Sequence, residues 1–312
     1  MTCAVVFGYG DVGIRCLAAM LARGWSVPLV VTHEDDPAEN RWFGSLAQFA
    51  SERDIPVMMP ENSDDAALIK RVASAQPEFI FSFYYRRMLR PDLLALASRG
   101  ALNMHGSLLP RFRGRAPINW AILHGETQTG ATLHYMVAQP DAGAIVGQRA
   151  VPILPDDTAV EVFRKVCSAA EGLLYDALPP LADGTAASTE QNLAAGSYFG
   201  ARRPDDGIID WSQSAQRIHD LVRAVAPPFP GARTTLDGRP ARIFRTLLST
   251  EVFGPSDYPS AFSRDGRCYV SCGDRRALRI LELEIDGEKI DPKRFSAQLA
   301  AASIRLPLRT TP

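Results

Sequence analysis

Along the first hundred residues, short apolar runs alternate with longer stretches whose apolar side chains recur every three or four positions. "CAVVF" precedes such a stretch at 11–23, "VPLVVT" one at 41–53, "IPVMM" one at 64–75 and "FIFSFY" one at 91–98. This alternation predicts an α/β, Rossmann-like, mostly parallel sheet with helices on both faces. Further strand-like runs follow at "ALNMH", "ATLHYMV" and "AIVGQRAVPI". Over 157–182, Val160, Phe163, Val166, Cys167, Leu173, Leu174 and Leu178 recur at helical spacing, with Asp156 or Asp157 placed to cap the start.

Residues 183–207 are rich in small and polar side chains and read as a connector. The texture then changes. A helical stretch near 212–225 is followed by "ARTTLDGRPARIFR" and "FSRDGRCYVSCGDRRALRILELEIDG", whose Asp-Gly pairs are hairpin turns. The expected organisation is a first domain over 1–190, a linker over 191–204, a smaller mainly β domain over 205–302 and a tail over 303–312.

Composition narrows the chemistry. With 34 basic against 35 acidic residues and a net charge of -1, the chain offers no global attraction to nucleic acid or anionic lipid. A small-molecule substrate is the better expectation, without nucleic acid and without membrane insertion. The start "MTCAVVFGYGDVG" has no basic leader, and its apolar run suits a first strand, so a cytoplasmic location is expected. Five scattered cysteines fit reduced thiols, and Cys268 and Cys272 lack a second ligand pair for a metal.

Gly8, Gly10 and Gly13 form a G-x-G-x-x-G between strand and helix, and Glu34, Asp35 and Asp36 follow the second strand. That spacing suits a dinucleotide site. The same glycines also permit a tight turn with close packing, whatever lies above. Chemistry elsewhere in the chain decides between the two.

In "ALNMHGSLLPRFRGRAP", Asn103 and His105 are two positions apart, so an extended backbone turns both side chains to one face, at the strand end where open sheets place ligands. Burying both without partners would cost roughly 1–3 kcal/mol each, so they are satisfied locally or face a cleft. Asp141, in a Pro/Ala/Gly turn, is the expected third member, a carboxylate that raises the imidazole's pKa. His134 and His124 read as packing or capping residues, and His33 and His219 have no obvious polar company. Arg111, Arg113 and Arg115 are candidates for anionic groups on a ligand.

The stretch "LNMHGSLLPRFRGRAPINWAILHGETQTGATLHYMVAQPDAGAIV" resembles the folate-dependent formyltransferases, marked by N-x-H, then S-L-L-P, R-G and A-P-I, and later D-x-G. Within that family, "FSFYYRRMLRPDLL" and "FGARRPDDGIIDW" are most similar to members acting on UDP-4-amino-4-deoxy-L-arabinose, in lipid A modification and polymyxin resistance. The resemblance implies an OB-like second domain and formyl transfer from 10-formyltetrahydrofolate to a nucleotide-linked amino sugar, with no metal and no NAD. It assigns Asn103, His105 and Asp141 as the catalytic trio. It assigns Arg87, Met88, Leu89 and Arg115, with Val137, Ala138, Gln139, Pro140 and Asp141, to the folate. Tyr84, Tyr85 and Arg202 are candidates for the nucleotide sugar. Some relatives are fused to a decarboxylating dehydrogenase; if that activity is needed here, a separate polypeptide is expected to supply it.

Three alternatives are weaker. A methionyl-tRNA formyltransferase should carry a basic insertion where this chain has the acidic "THEDDPAENRWFGSLAQFA". An NAD-dependent oxidoreductase conflicts with the family's use of the same strand-turn-helix without NAD. A non-catalytic binding module leaves Asn103 and His105 unexplained.

Overall fold

A computed structural model describes residues 1–35, 40–62, 65–252, 258–299 and 303–306. Asp36 and residues 300–302 and 307–312 of the expected domain end and tail lie outside them. The chain groups into two compact units, the first comprising 1–117, 128–152 and 163–200, the second 118–127, 153–162 and 201–312.

The first unit is built on β1 (Cys3–Gly8), α1 (Gly10–Ala22), β2 (Ser26–Val31), α2 (Leu46–Ser51), β3 (Val57–Met58), α3 (Ala66–Ser74), β4 (Phe79–Phe83), α4 (Pro91–Leu94) and β5 (Gly100–His105). β1, β2, β4 and β5 form where apolar runs are buried along most of their length, β4 at every position, while the two residues of β3 are half-buried at the sheet edge. Ser45 and Asp65 cap α2 and α3 by accepting from Gln48 N–H and Ala67 N–H. The sheet order is β3-β2-β1-β4-β5, all parallel, continued by β7 (Gln128–Tyr135) and β8 (Ile145–Pro152), both antiparallel to their neighbours. Between β5 and β7 lie a two-residue strand, β6 (Arg113–Gly114), and α5 (Pro117–Leu123). After α6 (Ala159–Asp183) the chain returns as β9 (Tyr198–Phe199), which pairs with β6 in parallel. The expected helix at 91–98 is only the four residues of α4. The cap of α6 is also not an aspartate: Glu161 accepts from both Thr158 N–H and Thr158 Oγ1 at 2.7 Å, while Asp157 accepts from Leu154 N–H.

The second unit carries α7 (Ala215–Ala224) and the antiparallel strands β10 (Ala232–Leu236), β11 (Arg239–Val252), β12 (Ser260–Arg264), β13 (Arg267–Ser271), β14 (Arg276–Ile285) and β15 (Glu288–Ile290), then α8 (Pro292–Leu299) and β16 (Ile304–Arg305). Asp237-Gly238, Asp265-Gly266 and Asp286-Gly287 all have positive φ at both residues, as the tightest hairpins require. Trp211 is fully buried in this unit's core, its Nε1–H donating to Thr234 Oγ1. Cys268 and Cys272 lie in the same core. Among the described residues, no helix is long and apolar enough to cross a membrane.

Candidate active site

The glycines of the first turn are occupied by protein. A Cβ on Gly8 would lie 2.8 Å from Leu46 Cδ2, and one on Gly13 3.0 Å from the same atom. Phe43 closes over Gly10, and Gly44 N–H donates to Asp11. The start of α1 is therefore a seat for residues 43–46, which explains the motif without a dinucleotide. Asp35, expected at a ribose, is instead paired with Arg41 at 2.7 Å.

At the far end of β5, Asn103 and His105 do share a face, and Asp141 meets both. Asn103 Nδ2 donates to Asp141 Oδ1 at 3.4 Å, and His105 Nδ1 is 3.5 Å from the same oxygen. Asp141 Oδ2 accepts from Gly114 N–H at 2.9 Å. Its backbone is in the left-handed region (φ 50°), which a short Asp side chain tolerates, and Gln191 Nε2 holds the turn by donating to the Asp141 and Gly143 carbonyls.

His134, read from sequence as a packing residue, belongs to this cluster. The antiparallel register places it opposite Asn103. Its Nδ1–H donates to the Tyr135 carbonyl, and its Nε2 lies 3.2 Å from Asn103 Nδ2 and 3.6 Å from Asp141 Oδ1. A polar residue in an otherwise apolar run, two positions from Thr132, was the available signal.

Electrostatics corrects one expectation. His105 is flanked by two acceptors, Asp141 and the Phe112 carbonyl 2.8 Å from Nε2, yet burial outweighs both and pushes its pKa below the ordinary value. The resting imidazole is neutral at neutral pH, not cationic, with its proton on Nε2 donated to Phe112. Burial alone would raise Asp141, but the combined pull of His105, His134 and Gly114 N–H holds it at about 2. The arrangement is thus a neutral base with a carboxylate waiting beside it. Phe112 has φ 56°, a strained conformation for a bulky residue, and that strain goes with a carbonyl aimed at the imidazole.

The other expected residues divide. Arg115 donates to the Arg86 carbonyl at 3.0 Å, and His33 Nε2 accepts from Arg86 N–H at 3.0 Å, so the loop of 86–89 is fixed beside the R-G-R segment. His33 is pushed down to about 4, by burial first and then by Arg87 and Arg86, which keeps it an acceptor. Arg87 donates to the Pro60 carbonyl, and Met88 is 63% exposed. Leu89, however, is a core residue packed with Leu93 and Tyr85, so no side-chain contact with a ligand is open to it. Val137, Ala138 and Gln139 are exposed and Pro140 is half-buried. Tyr85 stacks on His33 at 4.3 Å inside the core and does not present its ring to a nucleotide, whereas Tyr84 is half-buried with its hydroxyl enclosed against Gly106. Arg202 lies in the second unit, half-buried, with its Nε unpartnered. His219 is not isolated either; it bonds Thr246 and the Pro155 carbonyl.

Comparison with known families gives two matches. The formyl transferase model matches residues 2–178, and the model of the formyl transferase C-terminal domain matches residues 202–298. Among solved structures, the chain is similar to an N-formyltransferase of Helicobacter canadensis in complex with folinic acid and dTDP-3-aminofucose (21% identity, TM-score 0.72, 93% of this chain and 100% of that one). It is similar to WlaRD, a sugar 3N-formyl transferase, at 19% identity and TM-score 0.72 over 93% and 98% of the two chains. It is also similar to a sugar N-formyltransferase of a Shewanella species, at 20% identity and TM-score 0.62 over 81% and 100%.

Proposed function

The chain belongs to the formyl transferase family, and from that premise we propose that it moves a formyl group from 10-formyltetrahydrofolate to the 4-amino group of a nucleotide-linked amino sugar, UDP-4-amino-4-deoxy-L-arabinose. The observation that carries this reading is the convergence of Asn103, His105 and Asp141 at the end of β5. Solved relatives with the same fold act on amino sugars, which supports the acceptor class. Acceptance of that particular sugar would place the enzyme in lipid A modification and polymyxin resistance. Five free thiols suit a cytoplasmic setting.

The residues present fit the folate donor. Met88 and Val137 are exposed apolar side chains that a flat ring would cover, while the Arg87 and Arg115 guanidiniums suit its carboxylates. When bound, the donor supplies an electrophilic formyl carbon on N10.

Attack by the neutral amine forms the new C–N bond and sends the carbonyl electron pair to oxygen. Asn103 Nδ2, whose two N–H groups face Asp141 and His134 at 3.4 and 3.2 Å in the resting site, turns one of them to that oxyanion. His105, neutral at rest, takes the proton released by the attacking nitrogen. The resulting imidazolium sits between the Asp141 carboxylate and the Phe112 carbonyl, both of which favour its charge. Returning that proton to N10 lets the C–N10 bond break, giving a formamide and tetrahydrofolate.

The test is a product assay by mass spectrometry with 10-formyltetrahydrofolate and a panel of UDP- and dTDP-linked 3-amino and 4-amino sugars. A formamide of the UDP-linked 4-amino sugar, formed faster than any other, is expected. Formylation of methionyl initiator tRNA with no amino sugar accepted would overturn the reading.

A further inference from the structure

The two-residue ladder of β6 and β9 pairs Arg113 with Tyr198 and Gly114 with Phe199. Phe112 and Phe199 stack beneath it at 5.5 Å, so the ladder is anchored from inside. Side chains of paired residues leave a ladder on the same side. Arg113 and Tyr198 are therefore presented together, one residue from the Gly114 N–H that holds Asp141.

Each has an unmet requirement. The Arg113 side chain is only 8% exposed, its Nε is buried, and it has no hydrogen-bond or ion-pair partner among the described residues. With its Nε withdrawn from water and no counter-charge, the Arg113 side chain keeps its terminal nitrogens available to an anion. Asp141 does not supply one, because Gly114, Asn103 and the two histidines already surround its oxygens. Tyr198 is 58% exposed. The other exposed tyrosines, Tyr175 and Tyr258, have an arginine over the ring at 3.6 and 3.2 Å. The Tyr198 ring has no arginine over it among the described residues, and its Cε2 edge lies beside Gly114.

We propose that this ladder recognises the acceptor's nucleoside diphosphate, with Tyr198 stacking on the base and Arg113 pairing with a phosphate oxygen. This rests on the reading that the acceptor is nucleotide-linked. A ring and an anion also occur in the folate, but Met88, Val137, Arg87 and Arg115 already offer that donor an apolar face and two cations. The ladder lies on the other side of Gly114 in sequence from Arg115 and has one ring and one cation of its own.

Isothermal titration of the full chain with UDP, dTDP and folinic acid, each alone, tests the assignment without turnover. Tyr198→Ala and Arg113→Gln are each expected to weaken UDP or dTDP binding by about tenfold or more, with Tyr198→Phe near wild type and folinic acid affinity unchanged. Circular dichroism checks the fold of the Arg113 variant, and the surface position of Tyr198 keeps the test decisive if that variant unfolds. Wild-type protein that binds neither nucleotide would remove the nucleotide-sugar reading itself. Nucleotide binding unaltered in the variants would overturn the ladder's role alone, and selective loss of folinic acid would reassign the ladder to the donor.

Discussion

Two buried clusters of histidine and aspartate, one in each unit, are built to opposite specifications. In the second unit, His219 has both ring nitrogens bonded, at 2.9 and 3.0 Å. Asp220 receives Arg223 at 2.7 and 2.8 Å and Gln216 at 3.0 Å, and Arg223 also reaches the Asp157 carbonyl. Asn119 Nδ2 adds a bond of 2.7 Å to the Ala224 carbonyl. These bonds tie 118–127 and 153–162 to α7 and explain why those segments group with the second unit. In the first unit, Asn103, His105, His134 and Asp141 stand 3.2–3.6 Å apart, with a strained loop at Phe112 and an unpaired Arg113 close in sequence. A saturated cluster holds structure together, whereas a loose one keeps capacity for a ligand.

The contrast breaks most severely if a partner is removed from the saturated cluster. Arg223→Ala should cost about 3–5 kcal/mol in urea unfolding, because Asp220 is left buried and uncompensated, while kcat/KM of the folded fraction stays at the wild-type level. The reverse pattern is expected of the loose cluster. His105→Ala or Asn103→Ala should lower kcat by about 100–1,000-fold with little change in Tm; a variant that kept full activity would remove the catalytic assignment.

Asp141 joins both themes, since its carboxylate is held at about 2 in the fold against an ordinary value near 3.9. A depressed carboxylate stabilises the fold above its unfolded pKa and loses that contribution as pH falls through the folded one. Asp141→Asn should therefore remove on the order of 2 kcal/mol at neutral pH, and acid unfolding of the variant should be flatter between about pH 4 and pH 2. Its activity should fall as well, because the imidazolium loses its counter-charge.

The smallest effect concerns the sign of a pH limb. With His105 lowered by burial and working as a base, kcat/KM should climb as pH rises through its depressed value and level off near neutrality. A decline across the same window would show that the cationic imidazole is the working form.

Much of the fold was legible because the apolar runs obey a period. The parallel half of the sheet and most of its helices follow directly from "CAVVF", "VPLVVT" and "FIFSFY" and the stretches between them. The direction of β7 and β8 carried no such signal, since an antiparallel strand has the same composition as a parallel one. The trio was legible through Asn103 and His105 because two polar residues two apart demand a shared face. His134 was missed because a lone histidine in an apolar strand resembles a packed one until the register sets it opposite Asn103. The charge of His105 was misread because burial cannot be seen in a sequence, whereas a neighbouring aspartate can be guessed. Within the connector, "GSYFG" conceals β9, too short for any alternation to show.

That return strand has a practical consequence for anyone dissecting the chain. Ser197 receives Phe112 N–H on its Oγ, β9 braces the R-G segment, and Gln191 secures the turn that bears Asp141. A fragment truncated at the end of α6 would keep every member of the trio and lose the backing that sets their spacing.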